Sequence, residues 1–448
     1  MTTKKFLNYF KRDLPLSAFL LTALAAVLVI TEGFFWVYNQ ALFAARFDAI
    51  DLLFHFGSGV MLTLCAVLLL RQPPHNRVLG FAIGILALIS LIAGGGFLAG
   101  FALGIVGGVL ALTWNSNMRL TRPINNRLMK LTKKNRTIVF LAVVVIAILV
   151  VMPTELSYQL SMTNIRQQAL SGSKLINTPH GLLEYTDVGE GYTVLVSHGG
   201  AMGYDMVESV KQMLGNESFR LIVPSRFGYL RTPMPPDASV AAQADAFADL
   251  LDALNISKVI VMGFSFGGPA ALQFVLRHPD RSSALVMSMA VSHNAPPLDA
   301  MGQIMFQGVF RSDLGLWLLS TSYQPQLLSV LGVSSQVQDQ MTNADKQYVD
   351  HILQVMQPAS ARQAGLYNDR IRGQDEINLP LESITIPTIV FHSKEDGLVD
   401  FEYGQYTAQH IPNAKFVPFE SGGHLLVGRL DAIHNETMIF LRENLVIP

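Results

Sequence analysis

Hydrophobic residues divide this chain into two regions with different patterns. In the first third, long apolar runs follow one another, and about 20 mostly apolar residues suffice for a helix to cross a membrane. We therefore predict an all-α transmembrane region over residues 1–158. A glycine triplet interrupts the longest run, which indicates a tight hairpin of two helices there. The five predicted spans cover residues 14–38, 50–70, 78–94, 97–114 and 138–152.

From about residue 173 onward, short β-branched runs alternate with helical patterns and turn residues. Such alternation is typical of a mainly parallel sheet covered by helices, because buried parallel strands form continuous apolar runs. We predict a doubly wound α/β domain over residues 173–448. Residues from about 295 to 375 break the alternation, which predicts a helical cap. The predicted strands cover residues 174–177, 182–187, 193–197, 220–223, 258–262, 284–289, 388–391 and 415–419.

Charge is distributed unevenly between the two regions. Residues 1–158 hold 14 Lys and Arg against 5 Asp and Glu, whereas the remainder holds 18 against 28. Basic loops face the cytoplasm in membrane proteins. If residues 1–158 cross the membrane five times, the three segments rich in Lys and Arg all lie on the cytoplasmic side. We therefore expect a multi-pass protein of the plasma membrane whose C-terminal domain lies outside the cytoplasm. No nucleic-acid partner is expected.

The segment Gly263-Phe264-Ser265-Phe266-Gly267 lies between a predicted strand and a predicted helix. This is the context that the G-x-S-x-G nucleophile elbow requires, because its glycines permit a sharp turn that exposes the serine hydroxyl above the sheet. The pattern predicts Ser265 as a nucleophile.

A serine nucleophile needs a base and an acid that orients the base. After a G-x-S-x-G elbow, these follow along the chain in a fixed order, first the acid, Asp or Glu, and then the base, His. Asp396 follows the predicted strand 388–391, with Glu395 and Asp400 as lesser candidates. His424 lies in the loop after the last predicted strand. We predict Asp396 as the acid and His424 as the base.

Acyl transfer also requires hydrogen-bond donors for a developing oxyanion. One predicted donor is the backbone N–H of Phe266, directly after the serine. The other is expected in the glycine-rich loop 198–203, where Gly200 is preferred and Ala201 is the alternative. His198, at the start of this loop, is predicted to be structural.

Five segments together resemble the α/β-hydrolase fold superfamily, in particular its capped branch of esterases, proline iminopeptidases and meta-cleavage hydrolases. The resemblance covers about residues 175–445. It implies a Ser265–His424–Asp396 triad, an oxyanion hole from Gly200 and Phe266, and no cofactor or metal. The sequence departs from the branch at Ser225, where an Asp often stands. The segments are Ser197–Gly203, Pro224–Thr232, Gly263–Gly268, His392–Asp400 and Ser421–His424.

These features predict a membrane-anchored serine hydrolase, esterase-like, that acts on small acyl or lipid-like substrates. An aminopeptidase of the proline iminopeptidase type is an alternative. Such an enzyme would need an acidic pocket to bind the ammonium group of its substrate. Candidates for this pocket are Glu208, Asp299 and Asp313. A second alternative is a non-catalytic membrane sensor with a hydrolase-like domain.

Overall fold

A computed structural model describes residues 18–30, 57–71, 75–92, 98–113, 153–215, 219–297, 306, 309–375, 377–444 and 446–447. The described residues form two compact units. The first holds those up to Ser161, and the second holds those from Met162 onward.

The described part of the first unit is helical. A small apolar cluster, which includes Val29, Leu62, Cys65 and Ile83, is buried in it. A Cβ atom at Gly80 would lie only 2.7 Å from the carbonyl oxygen of Gly108. Glycine at this position therefore lets two helices approach closely, as expected for helix packing without bulky side chains. The helices are α1 (18–30), α2 (Ser58–Arg71), α3 (Asn76–Ile92) and α4 (Leu98–Thr113).

Among the described residues, no helix is both long enough and apolar enough to cross a membrane. The described residues cover parts of the first four predicted spans. The fifth, residues 138–152, lies outside them. The five-span arrangement therefore stays a prediction.

Eight strands in the described residues of the second unit form one sheet. They are β1 (Lys174–Thr178), β2 (Gly181–Val188), β3 (Tyr192–Ser197), β4 (Phe219–Pro224), β5 (Val259–Phe264), β6 (Ser282–Ser288), β7 (Thr388–Ser393) and β8 (Lys415–Phe419). Their order is β1-β2-β4-β3-β5-β6-β7-β8. Strands β1 and β2 pair antiparallel with their neighbours, and all later pairs are parallel. The mainly parallel sheet predicted from the sequence is confirmed, with strand ends within two residues of those predicted.

Helices cover the sheet and also fill the connection between β6 and β7. The described helices from residue 153 onward are α5 (153–171), which begins in the first unit, α6 (Val207–Leu214), α7 (Val240–Ala253), α8 (Gly268–Arg277), α9 (Asp313–Ser322), α10 (Gln324–Val330), α11 (Ser335–Asp339), α12 (Asn343–Val355), α13 (Gln363–Asp375), α14 (Phe401–His410) and α15 (Leu430–Glu443). We call α9–α13 the cap helices, because they are inserted between two adjacent strands of the sheet.

Alternate strand residues point to opposite faces of the sheet, and each face has its own apolar core. On one face, Val194 and Val196 of β3 pack in a cluster that also contains residues of α6, α15 and the cap helices. On the other face, Leu195 packs in a cluster with Phe247 of α7 and Phe274 of α8. Both faces of the sheet are covered by packed side chains. Loops from several strands can therefore meet at the carboxyl edge of the sheet, where it is not covered in this way.

Candidate active site

Ser265 lies on a sharp turn between β5 and α8. Its φ angle is +48°, in the left-handed region that non-glycine residues rarely adopt. A single 3-10 turn, Ser265–Gly267, leads directly into α8. Strained backbone at such a turn is retained where the surrounding structure over-determines it, and it is characteristic of functional sites.

The glycines on either side of Ser265 are required by close packing. A Cβ atom at Gly267 would lie 2.1 Å from the carbonyl oxygen of Ser197 and 2.4 Å from that of His198. A Cβ atom at Gly263 would lie 2.8 Å from the Cβ atom of Ala271. The G-x-S-x-G pattern therefore reflects the short distances between the turn, β3 and α8.

His424 follows β8 and reaches Ser265 from the next loop. Its Nε2 lies 3.0 Å from Oγ of Ser265. The backbone approaches through two glycines with positive φ, at +120° for Gly422 and +62° for Gly423. The N–H group of His424 donates to the carbonyl oxygen of Leu331 at 2.8 Å, which anchors the loop on the cap.

Asp396 follows β7 and contacts the other ring nitrogen of His424. Nδ1 of His424 lies 2.9 Å from both carboxylate oxygens. The backbone N–H groups of Leu398 and Val399 each donate to Oδ1 at 2.9 Å. The structure thus brings the three predicted side chains together in one line. The lesser candidates Glu395 and Asp400 are both exposed.

The carboxylate of Asp396 is fully buried but remains the favoured form. Burial acts to raise the pKa of Asp396, but the opposite charge of His424 and hydrogen bonds from His392 and His424 outweigh it, so the pKa lies below its usual range. A group with a depressed pKa contributes stability above its unfolded pKa of about 4 and loses it as the pH falls through the folded value. The acid is therefore ionised throughout the neutral range.

His392, next to the last residue of β7, is a second histidine that contacts Asp396, and sequence reasoning missed it. Its side chain is fully buried, and its Nε2 lies 2.9 Å from the carbonyl oxygen of Val399 and 3.3 Å from Oδ2 of Asp396. Both contacts are satisfied by a proton on Nε2. The available signal was a histidine next to the apolar run of a predicted strand, four residues before the acid.

The loop 198–203 lies beside Ser265, and Gly200 and Phe266 both line the cavity there. A Cβ atom at Gly200 would lie 2.9 Å from Cδ1 of Leu366 and 3.0 Å from Cδ2 of Phe266, so only glycine fits without displacement. His198 is completely buried, and burial is the main cause that holds its pKa well below the usual value. The ring is therefore neutral.

The loop after β4 contains the departure at Ser225. Oγ of Ser225 donates to Oε2 of Glu184 at 3.0 Å, and the backbone N–H of Arg231 donates to the same oxygen at 3.0 Å. Nε of Arg231 donates to Oε1 at 2.7 Å. Glu184 on β2, which sequence reasoning also missed, thus supplies a buried carboxylate to this loop.

A cavity of about 610 Å³ opens at Ser265 and His424. Its wall is mostly apolar, and among the described lining residues Arg370 and Asp400 are the charged ones apart from His424. The apolar lining comes from both the core domain and the cap, and includes Met202, Met206, Phe266, Met289, Phe310 and Met356.

Two of the three acidic candidates for an aminopeptidase pocket, Glu208 and Asp313, are not among the described residues that line this cavity. Glu208 is exposed and pairs with Lys211 at 3.2 Å. Asp313 pairs with Arg166 at 2.8 Å and accepts hydrogen bonds from Ser360. Asp299 lies outside the described residues. In the described part of the chain, no three His, Cys, Asp or Glu side chains are arranged to hold a metal ion.

Comparison with protein families agrees with the predicted fold class. The alpha/beta hydrolase fold family matches residues 192–428, more than half of the chain. The chain belongs to this family. Residues 7–115 match a separate family of unknown function, DUF6114.

Two curated proteins are similar to this chain over part of their length. An uncharacterized hydrolase of Bacillus subtilis is 29% identical, over 55% of this chain and 89% of the relative. A putative carbamate hydrolase of Serratia proteamaculans is also 29% identical, over 47% and 76%. Among solved structures, an alpha/beta hydrolase fold protein from Nakamurella multipartita is 27% identical, with a TM-score of 0.49, and the match covers 60% of this chain and 99% of that one.

The packing around the elbow predicts that replacing glycine by alanine lowers stability at Gly267 but not at Gly373. Gly267→Ala would press a methyl group onto two backbone oxygens, and we expect it to lower the free energy of unfolding by about 1–3 kcal/mol or more. Gly373→Ala on α13 is the control, because its nearest neighbour would be Cε1 of Phe266 at an ordinary 3.6 Å. Urea denaturation followed by circular dichroism measures both. Equal stability of G267A and wild type would contradict this account of the elbow.

Proposed function

We propose that this chain is a membrane-anchored serine hydrolase that acts on carboxylic esters or related acyl compounds. The observation that carries the proposal is the line from Oγ of Ser265 through the His424 ring to the buried carboxylate of Asp396. Serine hydroxyl, imidazole and carboxylate in this arrangement are the parts of a Ser-His-Asp triad.

In the proposed reaction, Oγ of Ser265 attacks the carbonyl carbon of the substrate while Nε2 of His424 accepts the hydroxyl proton. The resulting imidazolium is stabilised by Asp396, which also keeps the ring in the correct orientation. His424 then donates its proton to the departing alcohol, leaving an acyl group on Ser265. Water, activated by the same histidine, releases the acid and restores the serine.

The backbone N–H groups of Gly200 and Phe266 are the proposed donors to the oxyanion. Both residues line the cavity beside Ser265. Donors held in place before the reaction stabilise the charge that develops in the transition state, and losing one typically costs about 100- to 1,000-fold in turnover.

The largely apolar wall of the cavity favours an apolar acyl or alcohol group in the substrate. A lipid-like substrate would also fit the proposed membrane anchor. The putative carbamate hydrolase among the relatives supports a carbonyl substrate, because a carbamate, like an ester, has a carbonyl carbon open to attack. An aminopeptidase is less well supported, since the lining carboxylate Asp400 shares the described wall with the cation Arg370.

The first expected outcome concerns turnover. The purified full-length chain should hydrolyse p-nitrophenyl esters, and Ser265→Ala should lower kcat by about 10,000-fold or more, because the triad acts as a unit. Ser171→Ala, which removes an exposed hydroxyl bonded to the carbonyl oxygen of Gln168, is the control and should keep full activity. Acyl chains of increasing length and aminoacyl arylamides in the same panel identify the preferred substrate class.

Folded wild type that hydrolyses no member of the panel faster than S265A would remove the enzymatic proposal. The non-catalytic sensor would then remain as the better account.

The second expected outcome concerns the proposed anchor, residues 1–158, which rests on the apolar runs of the sequence. The full-length chain should stay with the membrane fraction after extraction with alkaline carbonate. A reporter fused after Pro448 that works only outside the cytoplasm should be active, because five spans would export the C-terminal domain. Activity only from a cytoplasmic reporter would contradict the five-span arrangement.

A further inference from the structure

The buried ion pair of Arg226 and Asp369 joins the loop after β4 to cap helix α13. Both nitrogens of the guanidinium fork face the carboxylate of Asp369, with Nη2 lying 2.7 Å from Oδ2 and Nη1 bonded to Oδ1. The hydroxyl of Tyr229 donates to the same Oδ2 at 2.5 Å. The exposed fraction is 5% for the Arg226 side chain and 8% for that of Asp369. A bidentate pair of this kind fixes orientation as well as distance.

Arg226 also holds the loop that contains the proposed oxyanion donor. Its backbone N–H donates to Nε2 of His198 at 2.9 Å, and its Nε donates to the carbonyl oxygen of His198 at 3.0 Å. Because Nε2 of His198 accepts this bond, the ring proton of the neutral imidazole must lie on Nδ1. Nδ1 lies 2.7 Å from the carbonyl oxygen of Gly199, to which it donates.

That last hydrogen bond sets the direction of the Gly200 N–H group. The carbonyl of Gly199 and the N–H of Gly200 belong to one peptide unit, which is planar and trans. Fixing the oxygen of this unit on one side therefore fixes the N–H group on the other. The chain of contacts runs from Asp369 through Arg226 and His198 to the proposed oxyanion donor.

Backbone contacts dock the loop after β4 against α13 and against the turn that precedes this helix. The N–H of Gly365 donates to the carbonyl oxygen of Gly228 at 2.9 Å, and the N–H of Leu230 donates to that of Ala361 at 2.7 Å. Leu366 of the same helix lines the cavity. A displacement of α13 would therefore pull on the loop that holds His198.

We propose that Arg226 and Asp369 are positioning residues that set the Gly199–Gly200 peptide, through His198, according to the position of cap helix α13. This inference rests on the proposed hydrolase function, because it assigns these residues to that reaction. It gives the Pro224–Thr232 segment a role: the segment carries the arginine that links the cap to the oxyanion loop.

The test compares Asp369→Asn with wild type in the full-length chain. Neutralising the carboxylate should loosen the guanidinium and leave the Gly200 N–H group misdirected. We expect kcat to fall by about 10- to 100-fold with little change in KM, since an oxyanion donor acts mainly in the transition state. A trifluoromethyl ketone, whose adduct places an oxyanion at the same point, should lose affinity by a similar factor. Backbone amide exchange in residues 198–203, followed by mass spectrometry, should become faster.

The control is Asp187→Asn, which breaks another bidentate pair, between Asp187 on β2 and Arg220. Its loss should lower stability without changing kcat or amide exchange in residues 198–203. A merely structural role for Asp369 would make its variant behave like this control.

The double variant R226M/D369L keeps the test decisive if D369N fails to fold, because apolar replacement of a buried ion pair is often neutral or stabilising. It should show the same loss of kcat and faster exchange. Unchanged kcat and unchanged exchange in this folded variant would overturn the proposed coupling. If wild type hydrolyses no ester, the hydrolase proposal is wrong. Amide exchange in residues 198–203 of the variants would still show whether the Arg226–Asp369 pair holds this loop in place.

Discussion

The left-handed backbone of Ser265 is the constraint on which the site depends. With φ at +48°, the chain reverses sharply between β5 and α8 and projects Oγ toward the carboxyl edge of the sheet. This turn is compact only because Gly267 passes within contact distance of two carbonyl oxygens of the β3 end. The same contact brings the loop after β3 beside the serine, so one strained residue places both the nucleophile and its proposed oxyanion donors.

Buried histidines complete the arrangement on both sides of this turn. His392 holds the segment that carries Asp396, and His198 holds the peptide before Gly200. Neither ring faces the substrate carbonyl in the proposed mechanism. Hydrogen bonds between buried polar groups are strong and costly to leave unmade. The two rings therefore fix loops that would otherwise be free to move.

Much of this architecture could be predicted from local sequence. Apolar β-branched runs revealed the strands, and the glycines around Ser265 with the order Ser, Asp, His revealed the central side chains. Glu184 and Asp369 could not be found in this way, because their roles depend on partners brought close by the fold. Asp369, for example, lies 143 residues from Arg226. Ser225, where an Asp often stands in the branch, donates to a carboxylate from another strand, Glu184, and no local sequence pattern predicts this contact.

The central claim is that His424 activates the Ser265 hydroxyl in the folded chain. The most direct measurement is the mass of the Ser265 peptide after treatment of the native protein with a fluorophosphonate at neutral pH. We expect stoichiometric modification of Ser265 in wild type and almost none in His424→Ala, since an unassisted serine is a poor nucleophile. Equal labelling of both proteins, or an unmodified Ser265 in folded wild type, would contradict the account.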